Sequence, residues 1–90
     1  MLTGRQYLLL AAAISEWDTT LRSVRALPNV PLPIVSQLSN ELHDLLLLWP
    51  GVRLPLTPGE TRRVIREARI HTREHTEELD ELLNPESDDE

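Results

Sequence analysis

The sequence predicts an all-α domain: a three-helix up-down-up bundle with two long helices and one shorter one, completed by dimerisation. Three observations predict it. Apolar residues recur at steps of three and four along three segments, and proline-rich connectors divide those segments. The apolar material is aliphatic, with leucine dominant, no Phe and aromatic residues at only 3% of the chain. The 90 residues suit one domain. It is placed at 1–83, with helices over about 4–27, 33–49 and 58–83 and a disordered acidic tail at 84–90.

The first helix starts at Thr3, a candidate N-cap, and carries a seam of Tyr7, Leu10, Ile14, Trp17, Leu21 and Val24. Leu9, Ala13 and Leu27 are expected to widen that seam on one side, and Pro28 ends the helix. Arg5 and the apolar run from Tyr7 to Ala13 have the layout of a short signal peptide. The apolar period passes straight through the Ala11-x-Ala13 position into Trp17, Leu21 and Val24, so the segment is read as mature helix. No run reaches the ~18–20 apolar residues of a membrane span. Without Cys there is no disulfide or thiolate site, and the expected location is the cytoplasm.

Pro28 to Pro33 is a stiff connector, and Pro33 suits the first turn of the second helix. That helix has a seam of Val35, Leu38, Leu42, Leu45 and Trp49. Leu45 to Leu48 covers the whole circumference of its last turn, so a leucine such as Leu47 is left facing outward. After Trp49-Pro50-Gly51, Val52, Leu54 and Leu56 are expected to lie on the bundle as an extended strap. Thr57, Pro58 and Glu60 then spell an N-cap, an N1 proline and the return residue of a capping box. At ~1.5 Å per residue the outer helices span about 36–38 Å and the second only about 25 Å. The overhang leaves Leu8 and Leu9 at one end, and Leu79, Leu82 and Leu83 at the other, in want of a cover. A second copy or a larger protein partner would supply it.

The third helix sorts into stripes. Its expected core seam is Thr61, Ile65, Ala68, Thr72, His75, Leu79 and Leu82. Arg62, Arg66, Arg69 and Arg73 fall within roughly 60° on one flank. Glu60, Glu67, His71, Glu74 and Glu78 occupy the other, and Ile70 stands opposite the seam. All nine basic residues are Arg, a usage that fits GC-rich coding and also bidentate recognition of carboxylate or phosphate. The net charge of −6 argues against general nucleic-acid or membrane binding. The arginine stripe either docks phosphates or an acidic partner, or pairs with Glu16, Asp18 or Asp44 of a neighbouring helix.

Two short motifs need weighing. His71-Thr72-Arg73-Glu74-His75 resembles the H-x-x-E-H pattern of the inverted zincins, which implies zinc on the two histidines. That chemistry needs a third ligand and a cleft that a chain of this size scarcely provides. Arg66 to His71 resembles the R-x4-H signature of the HEPN ribonucleases, which implies a helical, dimeric ribonuclease acting through those two residues. In an unbroken helix the two side chains point about 140° apart.

The reading is therefore a non-catalytic protein–protein interaction module of the kind used as adaptors, antitoxins, assembly factors and phage inhibitors. Its contact residues are expected to be Arg62, Arg66, Arg69, Arg73, Ile70, Leu8, Leu9, Leu47, Leu82 and Leu83. A nucleic-acid-associated regulator using the arginine stripe is the alternative, and a HEPN-like ribonuclease a distant third. No cofactor, metal or small-molecule substrate is expected.

Overall fold

The structure, a computed structural model, describes residues 1–84. The acidic tail expected beyond Asn84 lies outside the described residues. Four helices follow in order: α1 (Gly4–Ala26), α2 (Leu32–Leu47), α3 (Pro58–Glu74) and α4 (Thr76–Leu83), with no strand among the described residues. α1 and α3 each touch the other three helices. α2 and α3 both run opposite to α1, since Trp17 meets Leu38 and Tyr7 meets Trp49, while Arg22 lies by Arg62 and Arg66 and Tyr7 by His71. The expected up-down-up order becomes up-down-down, with the strap carrying the chain back between α2 and α3. No helix is long and apolar enough to cross a membrane among the described residues.

Local chemistry sets the helix ends. Thr3 caps α1 through a complete capping box: its hydroxyl accepts from Gln6 N–H at 3.1 Å and its own N–H donates to Gln6 Oε1 at 3.0 Å. The box expected at Thr57 is only half made. Thr57 Oγ1 accepts from Glu60 N–H at 3.1 Å, but the Glu60 carboxylate turns away to Arg53 and Arg63. α2 begins at Leu32 with Pro33 in its first turn. It ends two residues before the expected Trp49, as Leu48 and Trp49 tighten onto Leu45 and Leu46 carbonyls and Gly51 takes a left-handed φ of 76°.

The expected helix over 58–83 is in fact two. His75, at φ −122° and ψ 34°, separates α3 from α4. Hydroxyl competition explains the break. Thr76 Oγ1 donates to both Thr72 and Arg73 carbonyls, and Thr72 Oγ1 donates to the Ala68 carbonyl. Such back-bonding bends a helix by drawing acceptors out of the backbone ladder.

The core joins Leu10, Ala11, Ile14 and Leu21 of α1, Leu42 and Leu46 of α2, Trp49, and Val64, Ile65 and Ala68 of α3. Tyr7, Trp17, Val35, Leu38 and Leu45 pack around it, so the seams read from α1 and α2 hold. The widening side of α1 is the reverse of that expected. Leu9 and Leu27 are exposed, whereas Leu8, Ala11 and Asp18 are buried, because α1 is covered on two sides rather than one. Leu8 is therefore not an overhanging contact residue. It is 2% exposed, since α4 lies back across the first turns of α1, where Gly4 and Arg5 border Glu78, Glu81 and Leu82. Leu79 is buried and Leu82 half-buried there, while Leu83 is exposed. In the strap, Val52 and Leu56 reach the core and Leu54 points to solvent.

Leu46 and Leu48 are neighbours in sequence with opposite surroundings. Leu46→Ala should cost about 2–5 kcal/mol by urea denaturation, through lost burial and the cavity left behind. Leu48→Ala, at a site 62% exposed, should stay within about 0.5 kcal/mol.

Candidate functional site

The arginine flank of α3 meets α1 in a surface groove of about 280 Å³. Arg62, Arg66, Arg69 and Arg73 form one wall, Arg22 of α1 the other, and Ile65 and Ile70 line the surface between them. Ile70 is 42% exposed, an apolar side chain among five guanidinium groups. One carboxylate answers them. Asp18, 5% exposed, accepts from Arg69 Nη2 at 2.6 Å and pairs with Arg22 Nε at 3.2 Å. Arg69 Nη2 also reaches Thr19 Oγ1 at 3.3 Å, and its Nε is buried with no hydrogen-bond partner among the described residues. Arg62, Arg66 and Arg73 make no ion pair among the described residues, nor do Glu16 and Asp44.

Of the four stripe arginines, then, Arg69 is half structural and three are left to solvent. Arg22 is a groove residue that the α3 periodicity alone does not reveal. Its sequence signal is the i,i+4 spacing from Asp18, which places the two side chains one above the other on a helix.

Most of the opposite flank of α3 is consumed internally, Glu74 being the exposed carboxylate that makes no ion pair among the described residues. Arg63 donates to Glu60 Oε1 at 2.9 Å, to Glu67 Oε2 at 2.6 Å and to the Gly51 carbonyl at 3.2 Å. Glu60 also accepts from Arg53 N–H at 2.7 Å. Together the Arg63 guanidinium and the Arg53 N–H hold the Glu60 carboxyl down at about 2, and the hydrogen bonds to Glu60 and then Glu67 raise the proton affinity of Arg63. Trp49 Nε1 donates to Glu67 Oε1 at 3.0 Å, which, with Arg63, keeps the Glu67 carboxyl below its ordinary value. This network ties the strap to α3 and leaves little of that flank for a ligand.

A ring cluster lies at the α3–α4 junction. Tyr7 packs on Trp49 at 4.7 Å between ring centroids and on His71 at 4.3 Å, and His71 packs on His75 at 4.5 Å. His75, expected in the core seam, is instead the break residue, its Nδ1 2.9 Å from Glu78 Oε1. Burial, with His75 adding to it, pushes the His71 proton affinity down, and burial followed by Glu67 pushes the Tyr7 hydroxyl up. No group of three or more His, Asp or Glu is placed to hold a metal among the described residues. Arg66 lines the groove whereas His71 turns to Tyr7, so the two residues of the R-x4-H motif face different surfaces of an uninterrupted α3.

The expected leucine contacts are scattered. Leu9, Leu47 and Leu83 are exposed, Leu82 sits at the α1–α4 boundary, and Leu48 rather than Leu47 borders a depression with Met1, Leu2, Tyr7 and Pro50. Comparison with family models, curated proteins and solved structures finds no match.

Two outcomes follow from this chemistry. Asp18→Asn should destabilise the fold by about 1–3 kcal/mol, because Arg69 loses its counter-charge in a partly buried setting. Arg22→Ala, with a side chain 68% exposed, should cost no more than about 1 kcal/mol on the same denaturant curve. The second concerns pH. His71 binds its proton less readily folded than unfolded, so its contribution is complete above the ordinary value of 6.5 and is lost as pH falls below it. Glu60 repeats this lower down, its contribution present above 4.5 and lost toward about 2. Calorimetric melting temperatures should therefore fall in two steps on acidification, and His71→Gln should flatten the upper step alone.

Proposed function

We propose that the chain is a non-catalytic helical docking module that holds an acidic segment of a protein partner in the groove between α1 and α3. In this reading the module works in the cytoplasm. One observation carries it: five guanidinium groups from two helices line one groove around exposed Ile70, and among the described residues the only carboxylate paired with any of them is Asp18, which meets Arg69 and Arg22. Arg62, Arg66 and Arg73 offer paired N–H donors that suit carboxylates bidentately. Ile65 and Ile70 ask for an aliphatic side chain at the centre, so the matching segment has acidic residues around one apolar one.

A phosphate backbone would satisfy the arginines but not the isoleucines. No aromatic side chain lines the groove to stack a base, and the net charge of −6 repels a polyanion at longer range. Those features favour protein over nucleic acid.

Fluorescence anisotropy of a short labelled peptide, with Asp and Glu around a central Leu, tests the proposal. Binding should weaken about tenfold, ~1.4 kcal/mol, on Arg66→Glu, and also on Leu→Ser in the peptide. It should fall with added salt as exposed charges are screened. Tighter binding of single-stranded RNA or duplex DNA, steeply salt-dependent and lost in Arg66→Ala with Arg69→Ala, would overturn it in favour of a nucleic-acid regulator.

A further inference from the structure

We infer that the groove's own complement is the acidic α4 of a second copy, the two chains pairing antiparallel about a two-fold axis near His75. The inference rests on reading the groove as a site for an acidic segment, and it names that segment. The stripe Arg62, Arg66, Arg69 and Arg73 continues past the break, at the same steps of three and four, as Glu77 and Asp80. One side of the α3–α4 leg is thus basic before His75 and acidic after it.

α4 turns its acids outward. Leu79 is buried and Leu82 half-buried against the rest of the chain, while Glu77, Asp80 and Glu81 are exposed and make no ion pair among the described residues. Glu78 is engaged by His75, and Arg5 borders Glu81 without pairing with it. The same leg therefore carries unanswered charge of both signs. Its two halves succeed one another along the chain, so they do not face each other within a single copy.

A second copy laid antiparallel answers both halves at once, and by symmetry each contact occurs twice. With the axis at His75, Arg73 meets Glu77 of the second copy and Arg69 meets Glu81. Parallel pairing would instead set arginine against arginine, so the charges choose the direction as well as the partner. Exposed ion pairs of this kind are individually weak and screened by salt. The dimer is accordingly concentration-dependent, and a stronger acidic partner displaces α4 from the groove.

Size exclusion with light scattering, run over a concentration series at low and high salt, decides the matter. The native chain should pass from monomer to dimer on concentration at low salt and return toward monomer at high salt. A groove-reversed chain (Arg73→Glu) and an α4-reversed chain (Glu77→Arg) should each stay monomeric, with circular dichroism confirming that both remain helical. Mixing the two should restore a dimer, because each reversed surface now matches the other. A native chain monomeric throughout, or a dimer that survives either reversal, overturns the inference. If that monomer still binds the acidic peptide, only self-pairing fails; if it binds no peptide either, the groove reading fails too.

Discussion

Asp18 is a carboxylate on the inner face of α1, 5% exposed, in a core otherwise built from apolar side chains. A charge in that position without a partner would cost several kcal/mol. Arg69 of α3 meets it at 2.6 Å, which holds α1 and α3 at one relative height. The helices can close around this pair because Ala11 and Ile14 of α1 and Val64 and Ala68 of α3 are fully buried, two of the four being alanines. The pair also shapes the groove. It pins one guanidinium as part of the wall and draws in Arg22, so the cations left to a ligand are chiefly Arg62, Arg66 and Arg73.

The two tryptophans add further directed polar contacts. Trp17 Nε1 donates to the Leu38 carbonyl at 3.1 Å and so fixes α1 against α2. Trp49 Nε1 reaches Glu67 on α3, where the Glu60–Arg63–Glu67 network takes over. A leucine-rich core alone packs in many similar ways, and hydrogen bonds with defined geometry select among them. The selection has a consequence for function. On α3 the acidic flank is committed to holding the strap and Trp49, so the arginine flank is the side left with charge to offer.

How much of this was legible in the sequence differs from element to element. The seams of α1 and α2 could be read because a simple amphipathic helix shows its buried face as spacing. α3 was harder, since Val64 lies beside the expected seam and is fully buried. The arginine stripe was legible as a stripe, but its division into one structural and three outward residues was not. That division depends on Asp18, 51 positions away from Arg69 in the chain. Arg22 and the inward turn of Leu8 belong to the same class, set by what a distant helix brings near.

An all-helical chain, its proline-marked boundaries and the sorting of charge along its last third follow from residue order, because periodicity, capping and breaking residues act within a few positions of one another. Tertiary packing alone sets which flank of α3 is spent on the fold and that α4 covers Leu8. Those outcomes turn on competition for hydrogen-bond partners and burial between segments far apart in the chain, which spacing along one helix does not encode.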